Sequence, residues 1–510
     1  MALLQTNFRL DYKIIFIIFI ITFSVFIFTS HGHRISPDEY YAFNQAEKIL
    51  IQKSDQNFIS GITRPGEQET GTIIWSRPAC KDALLCSISP VGYAASILPF
   101  VIIEENFHII PNFVFISTDF DDSSYVSWRN SISPEETFTF LFFGPLIASF
   151  SICVVFLIAR TYNYSVKTST IISFFYGFST IAWAYSDTGF SIIESTLLVL
   201  IGFLFFRKFQ KNNRMTNLFL SGLSLGFGIT VRYDTLIFAA ILFLFIVHQS
   251  VREEQKIKKI GIFLLPLILF IITILYVNEI RFGSYLEFGY GSEEGIISGH
   301  TTPLHVGIYG LLFSPGAGIF IFSPILLTII ISFHDFFKNN RRDLILFLSY
   351  FAALLIFFGS YDAWHGFVGW SSRYMIPIIP FLILPLGASI ERRWNKPFGI
   401  SLIILGMIGS FFSFIWLIQD VSWFVWGLMG GDKGLYSLGI AGMHPLNFNP
   451  IVFWTFEHSQ LTNAIVLAFT HLQIDLYLFK VLGTVLSISI LSLILVPSSI
   501  LLIKILRIRE

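Results

Sequence analysis

Residues 13–41 read KIIFIIFIITFSVFIFTSHGHRISPDEYY. From Ile14 to Phe28 only Thr22 and Ser24 are polar, and such a run approaches the roughly 20 mostly apolar residues that a membrane-crossing helix needs. The chain then turns abruptly polar and presents two adjacent carboxylates, Asp38 and Glu39. Acids at the mouth of a spanning helix are costly unless they are solvated, paired or used. The stretch Phe28, Thr29, Ser30, His31 has no small-residue cleavage site, and further apolar runs follow, so the first run reads as a retained helix rather than a signal peptide.

The rest of the chain agrees. Hydrophobic residues make up 54% of the 510, charged residues 13%, and phenylalanine alone contributes 58; the mean hydropathy is +0.70. A soluble globule with a polar surface is excluded, and most of this chain has lipid for a solvent. Twelve candidate spans start near Ile14, Phe138, Thr168, Gly189, Met215, Thr235, Ile260, Gly318, Leu344, Met375, Phe398 and Tyr477. The expected fold is all-α: one polytopic integral membrane domain over residues 1–510, with external loops near 31–137, 279–317 and 418–476.

Basic residues favour the cytoplasmic side of a membrane. With the N-terminus inside, 21 of the 33 basic residues fall in short inner connections, among them Arg160, Arg207, Lys211, Lys259, Lys338, Arg341, Arg342, Arg392 and Arg393. Only seven acids lie there (Asp11, Glu253, Glu254, Asp335, Asp343, Glu391 and Glu510), leaving 26 of 33 on the other side. The zero net charge therefore hides a polarised molecule with cytoplasmic termini and an acidic outer face. Cys80 and Cys86 share the first outer loop, where they can form a disulfide or stay reduced. The single N-x-S/T sequon, at Asn163, falls inside. No Gly-rich phosphate loop and no long soluble segment is present, which argues against nucleotide chemistry on a cytosolic domain, and no nucleic-acid partner is expected.

The first outer loop carries most of the readable detail. Ser36 can cap a helix, Pro37 suits its first turn, and Glu39 completes a capping box, leaving Asp38 unoccupied. Ala42, Phe43, Ala46, Ile49 and Leu50 then recur at helical spacing against polar neighbours, as in an amphipathic helix lying on a membrane surface. Residues 89–103 form a second apolar stretch, too short to span, which reads as a re-entrant or interfacial helix.

With these features in place the chain resembles the GT-C superfamily of polytopic membrane glycosyltransferases, which includes the protein O-mannosyltransferases and the lipid A aminoarabinose transferase. The likeness rests on the first helix with its outer Asp38–Glu39 pair and on three further segments in order. Asn278, Glu279, Ile280, Arg281, Phe282, Gly283, Ser284 with Gly289 and Tyr290 resembles an N-x-x-R-F-G-S…G-Y pattern. Leu312, Phe313, Ser314, Pro315 with Gly318, Ser323 and Pro324 resembles L-F-S-P…G…S-P. Trp364, His365, Gly366 with Gly369 to Pro377 resembles W…G-W…R-Y-x-x-P.

The resemblance implies transfer of a sugar from a polyprenyl-phosphate donor to a glycan, lipid or protein acceptor outside the cytoplasm, with inversion. An attacking hydroxyl must lose its proton, which a carboxylate within hydrogen-bond reach can take; Asp38 is the candidate base, with Glu39 beside it on the substrate side. The departing phosphate needs fixed cations. Arg373 and Arg232 stand at outer helix ends, but Arg373 can also anchor a helix end and Arg232 can pair with Asp234. Tyr374, His365 and Asp362 can touch sugar or acceptor or simply be solvated, Trp364 and Trp370 can stack on a sugar or belong to the interface, and Arg281 reads as structural.

No cofactor is required by these residues. A divalent cation is conceivable at His31, His33 and Asp38, a set that falls short of full coordination. A transporter or lipid flippase would share the helix number and would be expected to show internal repeats and midplane ionisable residues, yet no clear repeat is present and most acids fall in loops. Asp187 and Glu194 suit that alternative best, and are expected instead to pair or face water.

Overall fold

The computed structural model describes residues 2–33, 39, 42–43, 45–47, 49, 90–110, 133–251, 254–288, 299–366, 369–394, 397–419, 450–470, 472 and 474–507. The described residues are helical apart from connections and one isolated bridge between Gln419 and Ile474. The principal helices are α1 (Ala2–Phe28), α2 (Val91–Phe107), α3 (Pro134–Thr161), α4 (Val166–Phe178), α5 (Ser191–Asn212) and α6 (Met215–Val231). They continue as α7 (Thr235–Ser250), α8 (Lys256–Phe282), α9 (Ile329–Gly359), α10 (Pro397–Ile418) and α11 (Thr484–Arg507).

Among the described residues, seven segments are long and apolar enough to cross a membrane, fewer than the twelve expected. Several expected spans are shorter or broken: α4 has 13 residues, α6 17 and α7 16. The last span begins at Thr484, after a short Tyr477–Leu482 turn of helix ends at Gly483, rather than near Tyr477. Continuous apolar length is demanded only where lipid is the neighbour, and much of this bundle is covered by protein. The Pro134–Thr161 span is 72% buried and the Arg373–Arg393 segment 89%, whereas Lys256–Phe282 is 22% and Thr484–Arg507 11%. The outer helices show Leu265, Leu269, Tyr276, Ile400 and Met407 exposed, a surface that suits hydrocarbon and not water.

Local sequence explains the joints. Ser133 caps α3 by accepting the Glu136 amide at 3.2 Å, with Pro134 at the first helical position. In the Arg373–Arg393 segment Pro377, Pro380 and Pro385 each remove a backbone donor, and the chain runs as a 3₁₀ turn and two short helices. Helix α9 contains a break at Asn340 (φ −132°, ψ 40°). Phe336 and Phe347 lie 5.9 Å apart by ring centroid, where a straight helix would separate them by about 16 Å. The chain therefore folds back at the polar run Asn339 to Arg342, turning one apparent helix into two passes.

The core is aromatic. Phe203 meets Phe347 and Phe381 edge-on at 5.4 and 5.3 Å, and Phe238 meets Tyr350 at 4.9 Å. Gly222 and Gly226 let α6 close on α8: an added Cβ would stand 2.9 Å from the Pro266 ring and 2.6 Å from the Phe270 ring. Three of the apolar residues read as facing a membrane surface, Ala42, Phe43 and Ala46, are covered by protein instead. Ala42, Phe43 and Ala46 are buried among Tyr93, Ile97, Phe140 and Val231, so α2, α3 and α6 cover that face.

The charged connections sort to two ends. Asp11 pairs with Arg160, Arg207 with Asp343, and Asp335 with Arg392 and Arg393. All belong to the connections expected inside, and they gather at the α5 C-terminal end of the bundle. The outer-loop residues that the structure describes gather at the opposite end.

Candidate active site

One short stretch, from Tyr185 to Ser191, gathers the end of the bundle opposite those charge pairs. It follows α4 as a 3₁₀ turn (Ala184–Asp187) and runs into α5. Asp187 is 3% exposed; its carboxylate accepts from the Ser30 hydroxyl, from the His31 ring and, at 2.9 Å, from the His31 backbone N–H. This ties the end of α1 to the turn. Two residues on, the Gly189 amide donates to the Glu39 carboxylate at 2.9 Å, and the Gly189 carbonyl accepts from the Tyr93 hydroxyl. A Cβ at Gly189 would lie 2.8 Å from Glu39 Cγ and run into the Phe140 ring, so only glycine lets Glu39 approach this closely.

Glu39 is thus buried, 1% exposed, and bonded across 150 residues of sequence. Its expected role was to close a capping box with Ser36. Ser36 lies outside the described residues, and so does Asp38, the candidate base. What Glu39 does in the structure is fasten the start of its helix to Gly189.

The next residue carries the cation. The Arg373 guanidinium lies 4.2 Å from the Phe190 ring centroid and 5.7 Å from that of Tyr374. Tyr374 in turn stacks on Phe358 at 4.3 Å with ring planes 7° apart. Arg373 is 9% exposed, so its charge is largely withdrawn from water and its field reaches its neighbours. Burial raises the Tyr185 phenol well above its usual range, and Arg373 offsets part of that rise. Burial first, and Arg373 second, push His365 down to about 3, so its imidazole is neutral at physiological pH. His365 stacks on Phe453 at 4.3 Å.

Two of the segments quoted above hold Arg373 in place. The Ala317 carbonyl accepts both the Ser371 hydroxyl, at 2.8 Å, and the Ser372 amide, at 3.0 Å, while the Ser372 hydroxyl donates to Trp364 O at 2.9 Å. Ser371 adopts φ 64° to make this turn. Ser323, from the same stretch as Ala317, accepts the Ile181 amide at 3.0 Å, linking the bracket back to the connection that carries Tyr185.

Other expected residues are engaged elsewhere. Arg232 grips Asp234 at 2.9 to 3.2 Å and reaches Ser191 at 3.4 Å, so the pairing alternative holds for it. Asp362 accepts from Thr301 N at 3.0 Å and from its hydroxyl, as the anchor of an outer turn. Arg281 is 1% exposed, and Trp370 packs edge-on against Phe322 at 4.9 Å. Glu194 accepts from Ser96 at 2.5 Å. The rings of His31 and His33 lie 5.3 Å apart and turn to separate carboxylates, His31 to Asp187 and His33 to Asp475 at 2.8 Å, while Asp38, the third residue of the conceivable cation set, lies outside the described residues. Among the described residues no group of three His, Cys, Asp or Glu side chains is arranged to hold a metal ion. Cys80 and Cys86 lie outside them.

From sequence alone Tyr185, Phe190 and Asp475 carry no site role, and Gly189 reads only as the start of a span. The available signal was the polar interruption Ser186, Asp187, Thr188, Gly189 between two apolar runs.

No protein-family model matches this chain, and no curated protein matches it. Two solved structures are similar to it in chain path, both of ArnT from Cupriavidus metallidurans. The one bound to undecaprenyl phosphate has a TM-score of 0.49 at 12% identity, covering 91% of this chain and 75% of that one. The apo state has a TM-score of 0.48 at 12% identity, covering 92% and 75%.

Proposed function

We propose that this chain is a membrane glycosyltransferase of the GT-C kind, moving a sugar from a polyprenyl-phosphate donor to a glycan, lipid or protein acceptor on the extracytoplasmic side. The observation that carries the reading is the placing of Glu39 and Arg373 on adjacent residues, Gly189 and Phe190. A buried carboxylate and a dehydrated guanidinium thereby stand together at one end of an apolar bundle, where a lipid-borne phosphate would arrive.

In this reading Asp38 takes the proton of the acceptor hydroxyl as its oxygen attacks the anomeric carbon. The bond from that carbon to the phosphate oxygen breaks on the opposite face, which inverts the centre, and the electron pair leaves on the polyprenyl phosphate. Arg373 offsets the charge that develops there, an interaction strengthened by exclusion of water. Neutral His365 offers a hydrogen bond to a sugar hydroxyl without adding charge, Tyr374 positions Arg373, and Arg232 with Asp234 borders the site.

The test uses purified protein and a set of polyprenyl-phosphate sugars. Asp38→Asn is expected to lower transfer by ~10²- to 10⁴-fold. Wild-type rates in a folded Asp38→Asn protein would remove Asp38 from the mechanism. Movement of a lipid or solute across sealed vesicles, with no glycosidic bond made or broken, would replace this reading with transport.

A further inference from the structure

The end of the bundle remote from Glu39 and Arg373 holds a cavity of 530 Å³ that the proposed chemistry leaves unused. Helix α5 connects the two regions; its 22 residues span about 33 Å at ~1.5 Å per residue. Four cations line the cavity, Arg207, Lys259, Arg341 and Arg342, against one carboxylate, Asp343. That carboxylate is bonded to Arg207 at 2.8 Å, so its charge is matched within the wall. Lys259 is 8% exposed with its ammonium 5.3 Å from the Phe209 ring centroid, while Arg341 and Arg342 are exposed at the rim.

The remaining polar lining donates as well. Gln210, Gln249, Asn339 and Asn340 bring carboxamide N–H groups. The break at Asn340 restarts the helix at the cavity wall, so the positive end of the second half of α9 belongs to the same lining. Guanidinium forks, an ammonium and amide donors around one net positive concavity match an anion with several equatorial oxygens, which a phosphate supplies and a chloride or carboxylate does not. Three of the four helices that line the cavity, α7, α8 and α9, also expose Leu244, Leu265, Leu269 and Ile345, an apolar surface beside the basic mouth.

We propose that this cavity binds a phosphate-bearing anion, either the headgroup of a membrane lipid or a soluble phosphate, at a site separate from the proposed transfer chemistry. Basic pockets between helices at a membrane boundary are suited to such headgroups.

The experiment follows thermal unfolding of the full chain in uncharged detergent. One arm titrates inorganic pyrophosphate, with sodium chloride at matched ionic strength; the other titrates cardiolipin or phosphatidylglycerol mixed micelles against phosphatidylcholine. A rise in Tm with pyrophosphate identifies a soluble anion, a rise with anionic lipid alone identifies a headgroup, and a rise with both assigns the site to phosphate as such. Arg341→Gln with Arg342→Gln is expected to weaken half-saturation by roughly tenfold through loss of two charge-assisted forks. Asn213→Asp, which adds a carboxylate at the exposed rim, should weaken it independently. No response in either arm, or undiminished responses in both variants, overturns the proposal.

Discussion

Arg373 lies across Phe190, its guanidinium carbon 4.2 Å from the ring centroid, one residue along the chain from the amide that Glu39 accepts. A stack engages the face of the guanidinium and leaves its N–H edge as the part that can meet an oxyanion. The ring thereby attracts the cation while carrying no net charge of its own.

Replacing that geometry should show in donor affinity before anything else. Arg373→Lys keeps the charge but loses the fork and the flat contact, and half-saturation by a polyprenyl-phosphate sugar is expected to rise about tenfold. Phe190→Leu keeps an apolar side chain in the core but removes the ring contacts with Arg373 and Tyr185, with an expected rise of about threefold for the ~0.5–1 kcal/mol of the cation–π contact. Unchanged donor titrations in both proteins would dissociate Arg373 from the donor.

Gly189→Ala tests the close approach to Glu39. The new methyl would stand 2.8 Å from Glu39 Cγ and press on Phe140, an overpacking that costs about 1–3 kcal/mol. A lower Tm in detergent together with reduced transfer is expected; a Tm equal to wild type would show that Glu39 moves away without penalty.

His365 sets an acid limit on stability. Its usual value of 6.5 falls to about 3 in the folded protein through burial and then Arg373. Between those values the unfolded chain binds the proton and the folded one does not, so this contribution is complete above pH 6.5 and is lost as pH falls toward 3. His365→Gln should flatten that part of the Tm-against-pH curve. A variant curve parallel to wild type between pH 6.5 and 4 would assign the acid sensitivity to other groups.

Asp187 holds the end of α1 through Ser30 and His31. Asp187→Ala removes one partner of a buried pair, which costs about 3–5 kcal/mol when the other is left charged. Asp187→Asn keeps an acceptor for the His31 amide and should fold better while transferring more slowly. Thermal unfolding in detergent reads the loss directly: a Tm equal to wild type in both variants would mean that Asp187 does not hold the end of α1.

Much of the architecture was legible because lipid imposes a simple rule on sequence. Apolar runs marked the helices, and the polar run Asn339 to Arg342 marked the fold-back between Phe336 and Phe347. Asp11, Arg160, Arg207, Asp335, Asp343, Arg392 and Arg393 were placed together by charge alone and do pair at one end. Span lengths were less legible, because α4 and α6 are largely covered by neighbouring helices and need not be long. The partnership of His33 with Asp475 joins residues 442 apart, and nothing in either neighbourhood announces it. The turn that carries Gly189 and Phe190 was missed for a different reason. Its contribution is a backbone amide and a ring face, and a search by reactive side chain passes over both.

That turn bears on how the protein meets bilayers of different thickness. Helices respond to mismatch by tilting or sliding, and a site assembled from several independent helix ends would be stretched or compressed with each adjustment. Here the anchorages of Glu39 and Arg373 are neighbours in sequence, separated by one peptide unit with a Cα spacing of about 3.8 Å. Changes in tilt that move α8 act at the periphery, while the spacing of the two anchoring residues, Gly189 and Phe190, is set by covalent geometry.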